Sequence, residues 1–261
     1  MTLLSDVRHT KIVEFLNSTG SVKVSEISKS LQVSEKTIRE DLEKLEEKGF
    51  LKRVHGGAVV IEHSESMLPI HKRRTRQYGE KEQIAAAAYE LIEDGQVVLL
   101  DAGSTTLELA KLMQHRSLTV ITNDTNIATA LADSNDIELC ILGGYRRKST
   151  YTIIGPSALS MMSELNVDIA FLGCSGVDLE RGLSIFHREE AELKKRMIKS
   201  SHKKVLLADH TKFGRTALIS FAELTEMDTL ITNHQTDQTI IQHIEQLGVE
   251  VITGQEGSGL S

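Results

Sequence analysis

Two groups of residues in this chain have types and spacings suited to particular chemistry. The first is a set of glycines and short polar side chains that follow apolar runs: Asp101-Ala102-Gly103-Ser104-Thr105-Thr106, Thr122-Asn123, Gly143-Gly144, Gly173-Cys174-Ser175-Gly176 and Asp209. Where such a segment leads straight into a helix, backbone N–H groups, hydroxyls and the positive end of the helix dipole converge, and a phosphate fits there. This loop is neither a GxGxxG nor a Walker sequence, and a capped turn explains Gly103 and Ser104 equally well in isolation. Several polar strand ends on one rim favour a pocket over independent turns. Arg147, Lys194 and Lys212 are the candidate cations for an anionic ligand, although surface charge is the usual fate of a lysine. The expected effector-binding set is therefore Asp101, Gly103, Ser104, Thr105, Thr106, Asn123, Gly144, Arg147, Gly173, Ser175, Glu190, Lys194, Asp209 and Lys212.

The second group lies near the N-terminus. Ile38, Leu42 and Leu45 are spaced four and three apart and share an apolar stripe, while Lys36, Arg39 and Glu43 fall on the opposite face. Such a polar face can enter the major groove of duplex DNA, where Lys36, Thr37 and Arg39 reach base edges and phosphates. Glu35 and Glu43 stand four residues to either side of Arg39, so surface ion pairs explain that arginine about equally well. Arg53 and His55 then sit beside Gly56-Gly57, a pair that tolerates the positive backbone angles of a tight hairpin. The expected DNA-binding set is Ser34, Lys36, Thr37, Arg39, Arg53, His55, Gly56 and Gly57.

Among the elements that must position these residues, Val24, Ile27 and Leu31 mark a first short helix with Ser25 placed to cap it. Leu31-Gln32-Val33-Ser34 makes a turn and Ser34 caps the second helix. Gly49 stops that helix, and Leu51 to Val54 with Ala58 to Ile61 forms a hairpin. The layout is a winged helix-turn-helix over residues 1–61. A segment with one proline and a basic run at Lys72, Arg73, Arg74 and Arg76 reads as a linker over 62–80. From Lys81 to the end, residues 81–261, helical and strand-like patterns alternate: helix 81–93, VVLLD, helix 105–114, LTVITN, helix 125–133, IELCILGG, then VDIAFLG, helix 188–201, KKVLLAD, TLITN, helix 236–247 and VEVIT. Continuous apolar strands between amphipathic helices predict a mostly parallel α/β sheet covered on both faces. Ligands of such sheets gather outside the strand carboxyl ends.

The N-terminal segment resembles the DeoR-like family of bacterial transcriptional regulators, through Arg8, Ile12, Leu16, Ser34, Thr37, Ile38, Arg39, Asp41, Leu42 and the wing VHGGA. Glu40 departs from the basic residue that many members carry there. The resemblance continues through DAGSTT, the TN pair, GG, IIGP, the glycine-spaced segment 173–182, EEAELKKRMI and AD followed by KFG, so it spans nearly the whole chain. It implies a C-terminal sensor domain similar to ribose-phosphate isomerases that binds a phosphorylated sugar or related metabolite. It also implies repression relieved by that metabolite. Asn233 stands where members usually have aspartate.

Composition sets outer bounds. The 261 residues, 40% apolar and 26% charged, suit two globular domains. The net charge of −7 divides unevenly, with 15 basic against 12 acidic residues over 1–81 and 15 against 25 beyond. A small DNA-reading domain joined to an acidic domain gives this asymmetry. Its modest positive charge implies a homodimer or homotetramer, because affinity grows with the number of phosphates neutralised. The start, MTLLSDVRHTK, lacks the apolar core of a signal peptide, and no run approaches the roughly 18 apolar residues of a membrane span, so a cytoplasmic protein without membrane partners is expected. Cys140 and Cys174 lie in apolar runs and are expected as buried free thiols. The histidines show no helical ligand pair, so neither metal nor cofactor is expected.

Two rival functions remain open on these residues. A sugar-phosphate isomerase needs acids for proton transfer in a DGADE-like segment, and laying that over Leu172 to Gly176 puts Leu172 and Ser175 where carboxylates belong. A protein–protein adaptor is the third possibility, disfavoured by the basic wing.

Overall fold

Asp41 is the one charged residue of the apolar stripe 38–45, and its placement organises the N-terminal unit. A computed structural model describes residues 5–19, 21–47, 51–59, 77–147 and 150–254. The chain forms two compact units, Met1–Arg76 and Gln77–Ser261. In the first, α1 (Ser5–Thr19), β1 (Ser21–Lys23), α2 (Val24–Leu31) and α3 (Glu35–Glu47) precede a hairpin of β2 (Lys52–Val54) and β3 (Gly57–Val59). Ile12, Leu16, Ile27, Ile38, Leu42, Leu45 and Leu51 pack the shared core. Within it, the fully buried Asp41 carboxylate accepts from Arg8 Nε at 2.7 Å and Nη2 at 3.0 Å, and lies 3.1 Å from His9 Nε2. A buried carboxylate survives only when paired and hydrogen-bonded, so these bonds fix how α1 crosses α3.

Local details differ from expectation in three places. Ser25 does not cap α2: the helix starts at Val24 with Lys23 as its N-cap and no side-chain cap bond. The turn ends instead through Gln32 in the left-handed region, φ 54°. Ser34 does cap α3, its Oγ accepting from Thr37 N at 3.1 Å. The wing is three-stranded, because β1 pairs with β3, a strand too short to show periodicity. Gly56 has the positive φ of a hairpin tip, 79°, but Gly57 is a glycine for another reason. A Cβ there would lie 1.9 Å from the Val22 carbonyl oxygen. Gly49, Val60, Ile61 and the basic run 72–76 lie outside the described residues.

The second unit opens with α4 (Tyr78–Tyr89), which begins inside the stretch expected as linker. There follow β4 (Val97–Leu100), α5 (Ser104–Leu112), β5 (Leu118–Thr122), α6 (Thr125–Leu131) and β6 (Ile137–Ile141). After a ribbon of β7 (Tyr145–Arg146) and β8 (Ile153–Ile154) come α7 (Pro156–Glu164), β9 (Val167–Gly173), β10 (Gly176–Asp178) and β11 (Gly182–Ile185). The unit closes with α8 (Arg188–Lys199), β12 (Ser201–Leu207), β13 (Ile219–Ala222), β14 (Thr229–Asn233), α9 (Gln238–Gln246) and β15 (Glu250–Gly254).

Seven strands form one wholly parallel sheet in the order β15-β14-β12-β9-β4-β5-β6. Alternate residues serve opposite faces. Val98, Leu100, Ile169, Phe171, Val205 and Leu207 pack with Ile84, Leu107 and Ile127 of α4 to α6, whereas Leu99, Ala170, Leu172 and Leu206 pack with Met162, Leu193 and Ile244 of α7 to α9. Both faces are buried, which is why the strands read as unbroken apolar runs. A separate antiparallel sheet, β10-β11-β13, adds Val177, Leu183 and Phe221 to the second cluster.

Replacing Asp41 with alanine removes the carboxylate that compensates Arg8 and should cost the N-terminal unit about 3 kcal/mol. Amide hydrogen exchange should then accelerate across α1 to α3 while β4 and β9 amides keep their protection; unchanged exchange in α1 to α3 would show the pair to be dispensable.

Candidate functional site

Strand order reverses direction between β4 and β9: β5 and β6 run outward on one side, β12, β14 and β15 on the other. A crevice opens outside the carboxyl ends at such a switch point. The residue after β4 is Asp101 and the last residue of β9 is Gly173, so two of the expected site residues meet there. Asp101 Oδ2 accepts the Gly173 N–H at 3.0 Å and the Lys194 ammonium, and that ammonium also donates to the Gly173 carbonyl at 2.8 Å. Lys194 is 3% exposed and Asp101 2%. Asp101 and Lys194, both expected to meet an effector, are paired with each other and tie β4, β9 and α8 together.

Above this pair, the segment 102–106 is shaped by neighbours. Ala102 N donates to Asn123 Oδ1 at 2.9 Å, and Thr106 Oγ1 donates to the Asp101 carbonyl at 2.7 Å. Gly103 is the N-cap of α5 with no side-chain cap bond, and Ser104 and Thr105 in the first turn are half-buried. Thr106 is buried and structural. Asn123 is clamped to β8 through Ile153, whose N–H donates to its carbonyl at 2.7 Å.

Asp209 forms a second centre. It is buried, caps the turn His210–Lys212 by accepting from Thr211 N at 2.9 Å, and lies 3.9 Å from Lys212 Nζ. Burial raises its carboxyl pKa, but Lys212, the Thr211 hydrogen bonds and Lys81 outweigh that and hold it below the ordinary value. Lys81, on the first turn of α4 and 3% exposed, went unnoticed in the sequence. A lysine that falls on the Ile84-Ala85-Ala88 apolar stripe was the available signal. Cys174 feels both centres: burial pushes its thiol up to about 12, while Lys212 and Lys194 pull the other way and Asp209 and Asp101 reinforce the rise. Cys140 and Cys174 are free and half-buried rather than fully buried.

The remaining expected residues form a third group on the β7–β8 ribbon. Arg147 Nη1 lies 3.5 Å from Glu190 Oε1, and Tyr145 Oη donates to Glu189 Oε1 at 2.6 Å. Gly144, with φ 142°, is exposed, and a Cβ there would lie 2.3 Å from the Ile154 carbonyl oxygen. Ser175 N donates to Ser184 O at 2.9 Å and starts the antiparallel sheet. Among the described residues, no group of three or more His, Cys, Asp or Glu is arranged to hold a metal. No described helix is long and apolar enough to cross a membrane.

On α3 the polar face carries paired charges. Arg39 Nη2 lies 2.6 Å from Glu35 Oε2, Lys36 Nζ lies 4.0 Å from Glu40, and Arg53 reaches back to Glu43 at 3.2 Å and Glu46 at 3.6 Å. Lys36, Arg39, His55 and Gly56 are exposed, whereas Gly57 is buried against the Val22 carbonyl within the wing.

Residues 8–64 match the family described as the DeoR-like helix-turn-helix domain, and residues 76–234 the DeoR C terminal sensor domain. The chain is 36% identical over 94% of its length to the HTH-type transcriptional regulator GolR of Listeria innocua, covering 96% of that protein. It is 34% identical to the HTH-type transcriptional repressor GlcR of Bacillus subtilis, covering 98% of this chain and 99% of that one. It is 33% identical to the glycerol-3-phosphate regulon repressor of Escherichia coli, covering 90% and 93%. A ribose 5-phosphate isomerase from Methanocaldococcus jannaschii overlays 51% of this chain and 53% of its own at 20% identity with a TM-score of 0.37, too low to carry argument.

The raised thiol of Cys174 gives a direct test. With a pKa near 12, only about one molecule in ten thousand is thiolate at pH 8. In a Cys140→Ala chain, labelling by a disulfide reagent should be orders of magnitude slower than in urea and should rise about tenfold per pH unit. Equal native and unfolded rates would contradict the placement of Cys174.

Proposed function

Because the chain belongs to the DeoR family of DNA-binding transcriptional regulators, we propose that it represses a sugar or polyol catabolic operon and is released by a phosphorylated sugar or polyol. The observation that carries this is that Asp101, just before the α5 N-terminus, and the Asp209–Lys212 centre both act on the Cys174 thiol at the strand ends of the sheet. The phosphate sits against the Gly103, Ser104 and Thr105 backbone, where the helix dipole favours negative charge, and Lys212 supplies a cation while the buried Lys81 faces Asp209 behind it. Asp101 and Lys194 hold the floor of that pocket. The relatives named as repressors, one of them of a glycerol-3-phosphate regulon, support the sign of control and the class of effector.

Recognition of duplex DNA falls to α3 and the wing. Lys36 and Arg39 reach the major groove once Arg39 exchanges Glu35 for a base edge, and His55 approaches phosphates. Two or more subunits bind a repeated operator, and the effector changes whether their winged helices match its spacing. Coupling of this kind requires that the effector bind the two arrangements with different affinity.

The same site is proposed to lack turnover. Leu172 lies in the hydrophobic core and Ser175 cannot act as a base at neutral pH, while Asp101 is occupied by Lys194 and Glu190 by Arg147.

Gel-shift titration against the upstream region of its own operon, repeated with candidate sugar phosphates, tests the whole proposal; no sequence-specific shift under any condition would end it. Arg39→Ala should weaken specific binding by about 1 to 3 kcal/mol. Lys212→Ala should leave operator affinity nearly intact while raising the effector concentration needed for release. Isomerase assays on the same compounds should show no turnover, and enzyme-like rates would overturn the assignment.

A further inference from the structure

In the wing sheet β2 is an edge strand, so on one side its backbone N–H groups have no strand to pair with. One of them, the Arg53 N–H, donates to Glu46 Oε1 at 2.7 Å. The other oxygen of that carboxylate lies 3.6 Å from Arg53 Nε, and Glu43, one turn earlier on α3, stands 3.2 Å from Arg53 Nη1. A single wing residue is thus gripped by backbone and side chain from the helix that enters the groove. Arg53 is thereby turned toward α3 and away from the role of a simple phosphate contact.

We propose that Glu46 is a positioning residue for operator recognition, fixing the angle between the wing and α3 through Arg53 without touching DNA itself. This rests on α3 and the wing docking together on the duplex. Electrostatics alone assigns Glu46 the opposite effect. A carboxylate facing a phosphate surface repels it, so removing the charge should tighten binding. Exposed ion pairs contribute little individually, but a charged acceptor on a backbone N–H is a stronger and more directional bond. The backbone bond is therefore what sets the wing, and a neutral amide oxygen at the same place can keep it.

The test uses the full chain and a duplex selected by the wild-type protein from a random-sequence pool, with affinity read by fluorescence anisotropy. Glu46→Ala should weaken binding by about fivefold or more, the loss expected for one charge-assisted bond less the repulsion relieved. Glu46→Gln, which keeps an acceptor oxygen and sheds the charge, should bind at least as tightly as wild type. Glu47→Ala removes a neighbouring exposed carboxylate and should also bind at least as tightly, giving the purely electrostatic baseline. Hydrogen exchange at the Arg53 amide should accelerate about tenfold in Glu46→Ala and stay near wild type in Glu46→Gln, with α1 to α3 amides protected in both. The proposal is overturned if Glu46→Ala binds as tightly as wild type, if Glu46→Gln falls as far as Glu46→Ala, or if protection is lost throughout α1 to α3. Failure of the wild-type protein to select any duplex would instead remove the DNA-binding premise.

Discussion

The Asp101 carboxylate sits where the sheet reverses its winding, and the architecture of the C-terminal unit turns on that position. In a parallel sheet wound outward from the middle, the two central strands have no connection crossing over their carboxyl ends. Polar backbone there has to find partners from elsewhere. Asp101 supplies them by accepting the Gly173 N–H and holding Lys194 of α8, whose ammonium also donates to the Gly173 carbonyl. Exchanging such a buried pair for apolar residues is often neutral for stability, so its value lies in geometry. It ties the ends of the already paired strands β4 and β9 to α8, next to the first turn of α5.

The N-terminal unit uses the same device at smaller scale. Arg8 and Asp41 form a buried two-point bond that an apolar pair could match in energy but not in angle. The consequence is that α3 is presented at a defined tilt with its polar face outward. On that face the basic residues are countered by acids at helical spacing, Glu35 with Arg39 and Glu40 with Lys36. Close pairing lowers the nonspecific attraction of each winged helix for phosphate. Any contact these residues make to DNA must compete with the internal carboxylates, and base edges differ from phosphates in carrying the sequence-dependent donor and acceptor pattern.

What was legible in the sequence follows from what each feature needs. Central strands and most helices announce themselves by apolar period, and Ser34 by its position before an amphipathic run, so these were found with errors of a few residues at their ends, whereas the helices Ser5–Thr19 and Pro156–Glu164 were not read from the pattern. The strand β1 and the sheet β10-β11-β13 are three or four residues per strand, too short for a period to register. Strand order was also hidden, because parallel strands of similar composition can be permuted without changing any local pattern. Lacking the order, the sequence placed Asp101, Gly173 and Lys194 on one rim but could not reveal that they bond to one another. Lys81 was missed for a related reason. It lies far before Asp209 in the chain, and only the packing of α4 beside β14 brings it to the far end of the sheet. Gly57 illustrates the converse, a correct residue assigned a wrong cause, since close approach and positive φ both demand glycine.

The pairing of the acids is what the proposed sensing role draws on in this site. A proton-transfer enzyme keeps a carboxylate unpaired near neutral pH at the reacting carbon, and it tolerates the cost of holding that charge away from water. Here three carboxylates near the strand ends have a cation or a capped turn, Asp101 with Lys194, Asp209 with Lys212 and Thr211, and Glu190 with Arg147, while Glu189 accepts from the neutral Tyr145 hydroxyl. Backbone dipoles and ammonium groups at these strand ends make a fixed field suited to holding an anion. For the proposed sensor this suffices, because allosteric coupling typically amounts to about 1–3 kcal/mol. One ammonium–phosphate contact made in one subunit arrangement and broken in the other is of that size.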